Sequence, residues 1–98
     1  MATIKEHQEW VKKAWKKSPK KQISEKDELL FFMEEIGEMA EAVRKINGNK
    51  ANKEMTADLE KEFGDVFLSV LTLAIRYGID LEKAFEKTKE SIVKRYNG

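Results

Sequence analysis

The sequence predicts an all-α fold, a small up-and-down four-helix bundle that assembles as a dimer or a dimer-built tetramer. Three observations lead there. No segment alternates apolar and polar residues as a half-buried strand does. One Pro and five Gly punctuate the chain into four stretches of helical periodicity. Hydrophobic residues make up 41% and charged residues 38%, a balance that suits amphipathic helices. With 98 residues there is room for a single domain, residues 1–98, and a lone copy would be only modestly stable.

The spacing predicts helices near 3–17, 25–46, 53–77 and 81–96. The first has Ile4, His7, Val11, Ala14 and Trp15 along one face, with Trp10 beside it and lysines opposite; Ser18-Pro19 ends it. The second opens at Ser24, with Asp27 three residues on as a capping box, and closes at Asn47-Gly48-Asn49. Its expected core face is Leu29, Phe32, Met33, Ile36, Met39, Ala40 and Val43. In the fourth, Asp80 is the N-cap after Gly78 has ended the third, and Leu81, Phe85, Thr88, Ile92 and Tyr96 form the inner face.

The third helix is apolar nearly all round. Leu59, Phe63, Val66, Phe67, Val70 and Ala74 form one broad face, and Leu68, Leu71 and Ile75 lie on the other side. Glu62, Asp65, Ser69, Thr72 and Arg76 are left as a narrow polar stripe. Such a helix must be covered on both sides, and three short helices can hardly surround it. A second copy of the chain is therefore expected to cover part of it.

Composition excludes several function classes. Without Cys there is no disulfide scaffold, thiolate zinc site or cysteine nucleophile, and one His rules out a two-histidine metal motif. A net charge of +1 argues against an overall commitment to nucleic acid or membrane. No apolar run approaches the roughly 20 residues that span a bilayer, and residues 1–9 lack a signal-peptide core, so the expected compartment is the cytoplasm. The charge is unevenly spread. Residues 1–26 hold eight Lys against three Glu, residues 27–65 hold eleven acids against five bases, and residues 66–98 hold six bases against four acids. An acidic middle between basic ends can hold a cation and draw a polyanion to it.

The acids concentrate in Glu34-Glu35-Ile36-Gly37-Glu38-Met39-Ala40-Glu41. Glu35 and Glu38 are helical neighbours at the edge of the apolar face, and no base lies one turn before Glu34 or Glu35; Lys45 can compensate Glu41. Glu62 and Asp65 repeat the three-residue spacing on the third helix. Carboxylates at the edge of an apolar core are costly unless paired or bound to metal. Two such pairs on facing helices can converge, and all-oxygen donors suit Mg²⁺ or Mn²⁺. Acidic pairs are also common on solvated helix faces, and periodicity alone does not separate the two readings.

Glu34-Glu35-Ile36-Gly37-Glu38, then 23 residues, then Glu62-Phe63-Gly64-Asp65 resembles the ExxE–spacer–ExxD signature of the MazG-like all-α nucleoside triphosphate pyrophosphohydrolases. The likeness continues through Tyr77-Gly78-Ile79-Asp80-Leu81 and Lys94-Arg95-Tyr96, and covers residues 29–96. It implies a MazG-type four-helix fold, a homodimer or homotetramer with sites near subunit contacts, and Mg²⁺-dependent cleavage of nucleotides between the α- and β-phosphates. Carried over by position, Glu35, Glu38, Glu62 and Asp65 would hold the metal. Glu34 would orient the attacking water or hold a second ion, and Glu38 joins it as a catalytic carboxylate. Many relatives have an Asn and then a Lys in the last helix where this chain has Lys89 and Ser91, which leaves Lys87 and Arg95 to meet the phosphates. Trp15, with His7 and Trp10, offers an aromatic face for a base, although both tryptophans also suit a core or an interface. Phosphoribosyl-ATP is the alternative substrate, and a non-catalytic, nucleotide-binding regulatory oligomer is the alternative class. A di-iron bundle lacks its Glu-x-x-His motif, and the Lys-rich first helix has no nucleic-acid recognition motif beside it.

Overall fold

The computed structural model of the chain describes residues 1–17, 24–48 and 52–97. Four helices follow in order: α1 (Ile4–Lys17), α2 (Glu25–Gly48), α3 (Lys53–Arg76) and α4 (Leu81–Asn97). No strand occurs among the described residues. Every helix end lies within two residues of the expected one. The Ser18-Pro19 break and Asn49 lie outside the described residues.

Local chemistry sets these ends. Asp27 N–H donates to Ser24 Oγ at 3.1 Å, the expected cap of α2. Gly78 takes φ +65°, and Ile79 N–H reaches back to Ala74 O at 2.9 Å while Gly78 N–H donates to Ile75 O, the paired bonds of a glycine-terminated helix. Asp80 Oδ1 then accepts from Glu82 and Lys83 N–H and starts α4. Two caps escaped the sequence reading. Thr3 and Glu6 exchange bonds of 3.1 and 3.0 Å, a reciprocal capping box readable as T-x-x-E. Asn52 caps α3 by accepting from Met55 N–H.

α2 and α3 pack as an antiparallel hairpin. Glu28 meets Arg76, Glu35 meets Glu62 and Asp65, and Ala42 and Lys45 face Met55 and Asp58. α1 lies against α3, and α4 packs chiefly against α1. Two polar contacts hold this arrangement. The buried amide of Gln8 fits the α3–α4 turn, donating to Ile79 O at 3.0 Å and accepting from Leu81 N–H at 3.1 Å. The Arg76 guanidinium, 10% exposed, pairs with Glu28, 8% exposed. It lies 3.7 Å from Glu25 and 5.2 Å from the Trp15 ring centroid, so it ties α1 to the hairpin.

The faces differ from expectation. On α2 the side turned to α3 is Glu28, Phe32, Glu35, Met39, Ala42 and Ile46. Phe32 and Met39 were in the expected core, whereas Leu29, Met33, Ile36, Ala40 and Val43 are exposed, Met33 by 61%. On α3 the polar stripe Glu62, Asp65, Ser69, Thr72 and Arg76 faces α2 and is partly covered, while Phe63 is 55% exposed. The physical reason is the Arg76–Glu28 pair: neutralising it brings the polar edges together. A rotation of about 100° from the contact line falls on the same side of both antiparallel helices. Leu29, Met33, Ile36 and Phe63 therefore share one uncovered apolar face. In α1, Gln8 and Val11 are buried, but His7 and Ala14 are not. In α4, Phe85, Ile92 and Tyr96 are open to solvent. The radius of gyration is 16.3 Å, against about 13 Å for a compact chain of this length. No helix among the described residues is long and apolar enough to cross a membrane.

Candidate metal centre

Midway along the hairpin, the α2–α3 contact becomes acidic. Glu35 comes from α2, and Glu62 and Asp65 from α3, because the antiparallel register sets these turns opposite one another. One carboxylate oxygen from each lies within 4.8 Å of the other two. Glu35 Oε2 and Glu62 Oε2 are buried and have no hydrogen-bond partner among the described residues. Burial pushes the Glu35 carboxyl above its ordinary range, and the negative charges of Glu38, Asp65 and Glu62 push it the same way. Two orphaned oxygens in one acidic pocket leave an uncompensated electrostatic cost. A hard divalent cation, with its preference for carboxylate oxygen, fits such a donor set.

One cation does meet the cluster. Lys61 Nζ lies 3.2 Å from Asp65 Oδ2, one turn earlier on α3. This bond, with the charges of Asp65 and Glu62, holds the Lys61 ammonium above its ordinary range. The sequence reading did not name Lys61 as a partner of these acids; its i,i+4 spacing to Asp65 was the missed signal. At Glu41 the expected charge of Lys45 acts in the stabilising sense, and Arg44 adds an ion pair at 2.6 Å that the sequence reading did not name.

The other expected site residues are placed differently. Glu38 is exposed at the flank of the cluster. It lines a cavity of about 270 Å³ with Glu41, Ala42, Lys45, Met55, Asp58 and Glu62. Glu34 is exposed on α2. Trp15 lies under Arg76, eleven residues from Asp65 on α3, or roughly 16 Å along the axis at 1.5 Å per residue. Its ring is thus part of the helix packing and not beside the carboxylates of its own chain. His7 and Trp10 line a separate groove of about 230 Å³ between α1 and α3, with Gly64, Phe67 and Leu68. Lys87 and Arg95 are exposed on α4, and no hydrogen bond or ion pair among the described residues ties them to the acids.

Residues 23–98, which contain the whole cluster, match the MazG nucleotide pyrophosphohydrolase domain. The chain belongs to the MazG family. A similar protein is the uncharacterized protein YvdC of Bacillus subtilis (strain 168), 30% identical over 97 residues that cover 91% of this chain and 92% of that protein. No solved structure matches the chain. In this MazG chain, Glu35, Glu62 and Asp65 occupy positions of the ExxE and ExxD motifs, so three motif carboxylates converge in space.

The sign of the pH effect follows from Glu35. With its folded-state pKa raised, the native chain holds this proton more tightly than the unfolded chain does. Without a cation, stability therefore falls as pH rises from the ordinary carboxylate value through the raised one, and stays lower above it. Like-charge pairs on helices cost roughly 0.2–0.5 kcal/mol each, so relieving the contacts of Glu35 is worth about 1 kcal/mol, or several degrees of melting temperature. Glu35→Gln should accordingly melt above the wild-type chain at pH 7.5 in EDTA and lose the stabilisation given by Mg²⁺ or Mn²⁺. A variant that melts below the wild type in EDTA would show that Glu35 is already compensated.

Proposed function

We propose that this chain is a Mg²⁺-dependent nucleotide pyrophosphohydrolase of the cytoplasm that cleaves (deoxy)nucleoside triphosphates between the α- and β-phosphates. The observation that carries the reading is a contrast within one helix pair. Glu28 is buried and has Arg76, whereas Glu35 and Glu62 each bury an oxygen without a partner. Membership of the MazG family supports the same reading.

Glu35, Glu62 and Asp65, with Glu38 at their flank, would hold the cation, and Mn²⁺ suits the same oxygens. When bound, it neutralises polyphosphate charge and acidifies coordinated water. The chain's own residues supply the rest. Glu34 stands exposed beside Glu35 and can accept a proton from a water one hydrogen bond away. That water adds to the α-phosphorus, the bond from the α-phosphorus to the bridging oxygen breaks, and monophosphate and pyrophosphate leave.

The test is pyrophosphate release from a panel of ribo- and deoxynucleoside triphosphates, with phosphoribosyl-ATP as a further arm. Release should require Mg²⁺ or Mn²⁺, stop in EDTA and fall at least roughly a hundredfold in Glu38→Gln, since even supporting groups around a metal give effects of 10–100-fold. Release unaffected by EDTA would refute the mechanism. Nucleotide binding without turnover on any substrate would point to a regulatory, non-catalytic oligomer, for which Lys89 and Ser91, standing where many relatives have Asn and Lys, speak.

The working unit is proposed to be a homodimer or a dimer-built tetramer. Leu29, Met33, Ile36 and Phe63 are exposed together, and contiguous apolar patches of this kind mark association surfaces. Sedimentation at micromolar concentration should give a dimer or tetramer, and Ile36→Glu with Phe63→Glu should dissociate it. A wild-type monomer would contradict the assignment.

A further inference from the structure

We infer that Lys61 is a phosphate-binding residue, held by Asp65 until a cation occupies the acidic cluster and then passed to the polyphosphate of the substrate. The inference rests on the nucleotide reading above and adds a residue to it. Lys61 Nζ and Asp65 Oδ2 are 3.2 Å apart, and the lysine side chain is 72% exposed. Asp65 is also one of the three carboxylates that converge. A single group thus faces two positive claimants, and the mobile one is the lysine.

The energetics favour the exchange. An exposed lysine–carboxylate pair adds little net stability, so little is lost when it opens. A divalent cation on the carboxylates adds like charge beside the ammonium and weakens the pair further. The four-carbon stem lets the ammonium leave Asp65 without any movement of α3. A polyphosphate drawn to the cation then offers Lys61 stronger acceptors than it gives up. The need is real, because α4 packs chiefly on α1. Lys61, on α3 itself, stands in an ion pair with one of the converging carboxylates.

Two titrations by calorimetry test this on the full chain. The first is Mn²⁺ alone; the second is a non-hydrolysable nucleoside triphosphate analogue in saturating Mg²⁺. Lys61→Ala should leave Mn²⁺ affinity unchanged or raise it a few-fold, because a competitor for Asp65 is gone. The same variant should weaken the nucleotide analogue about tenfold, and Lys61→Arg should restore most of that loss. Opposite responses of the two ligands are the signature, since a structural lysine would weaken both together. Unchanged nucleotide affinity in Lys61→Ala, or a parallel fall in both affinities, would overturn the inference. Wild-type chain that binds both ligands but turns nothing over would strike the pyrophosphohydrolase reading and leave the role of Lys61 standing. Wild-type chain that binds no nucleotide would overturn both.

Discussion

Everything in this fold depends on how charge is compensated between α2 and α3. The two longest helices meet along mixed faces, where Glu28, Glu35, Glu62 and Asp65 lie among apolar residues such as Phe32 and Met39, so the covered charges have to be compensated. At one end Arg76 supplies the positive charge, paired with Glu28 and stacked on Trp15, and this locks three helices at a single residue. A few turns away the contact holds Glu35, Glu62 and Asp65, three acids of which Asp65 is paired with the exposed Lys61. Breaking a buried pair leaves a lone charge in a poor dielectric and costs about 3–5 kcal/mol. The Arg76–Glu28 lock therefore fixes the rotation of both helices, and that rotation sets the acids against one another.

The same rotation sends large apolar side chains outward. Among the described residues the buried apolar core is Val11, Leu71 and Ala74, too little for a stable isolated domain of this length. Burying Met33, Ile36 and Phe63 inside the chain would require turning α2 and α3 so that the carboxylates faced solvent. A site between the helices and a dry interior within one copy are alternatives for this hairpin. The proposed association of copies resolves the conflict, because a second chain can cover the apolar side while the polar contact stays intact.

Much of the fold was legible in the sequence because helix ends are local. Ser24, Gly78 and Asp80 each act on backbone groups within a few residues, and their predicted caps form. The carboxylates were legible for a similar reason: three-residue spacing makes neighbours of Glu62 and Asp65 on any helix. The rotation of α2 was not legible. Its sequence contains two overlapping four-three series, one through Leu29, Met33, Ile36 and Ala40 and one through Glu28, Phe32, Glu35 and Met39. Periodicity favours the more apolar series, whereas a partner 48 residues along the chain, Arg76, selects the other. The placement of Trp15 under that same arginine was hidden for the same reason. Lys61 was an oversight of a different kind, since its spacing to Asp65 is visible in the sequence.

The central physical claim is that Glu35, Glu62 and Asp65, set against one another in the α2–α3 contact, together hold a divalent cation. Calorimetric titration of Mn²⁺ into the wild-type chain, Glu62→Gln and Asp65→Asn at neutral pH tests it most directly. Saturable, stoichiometric binding to the wild type, with affinity falling at least tenfold in both variants, is the expected result. Absence of binding at millimolar Mn²⁺, or equal binding by all three chains, would contradict it.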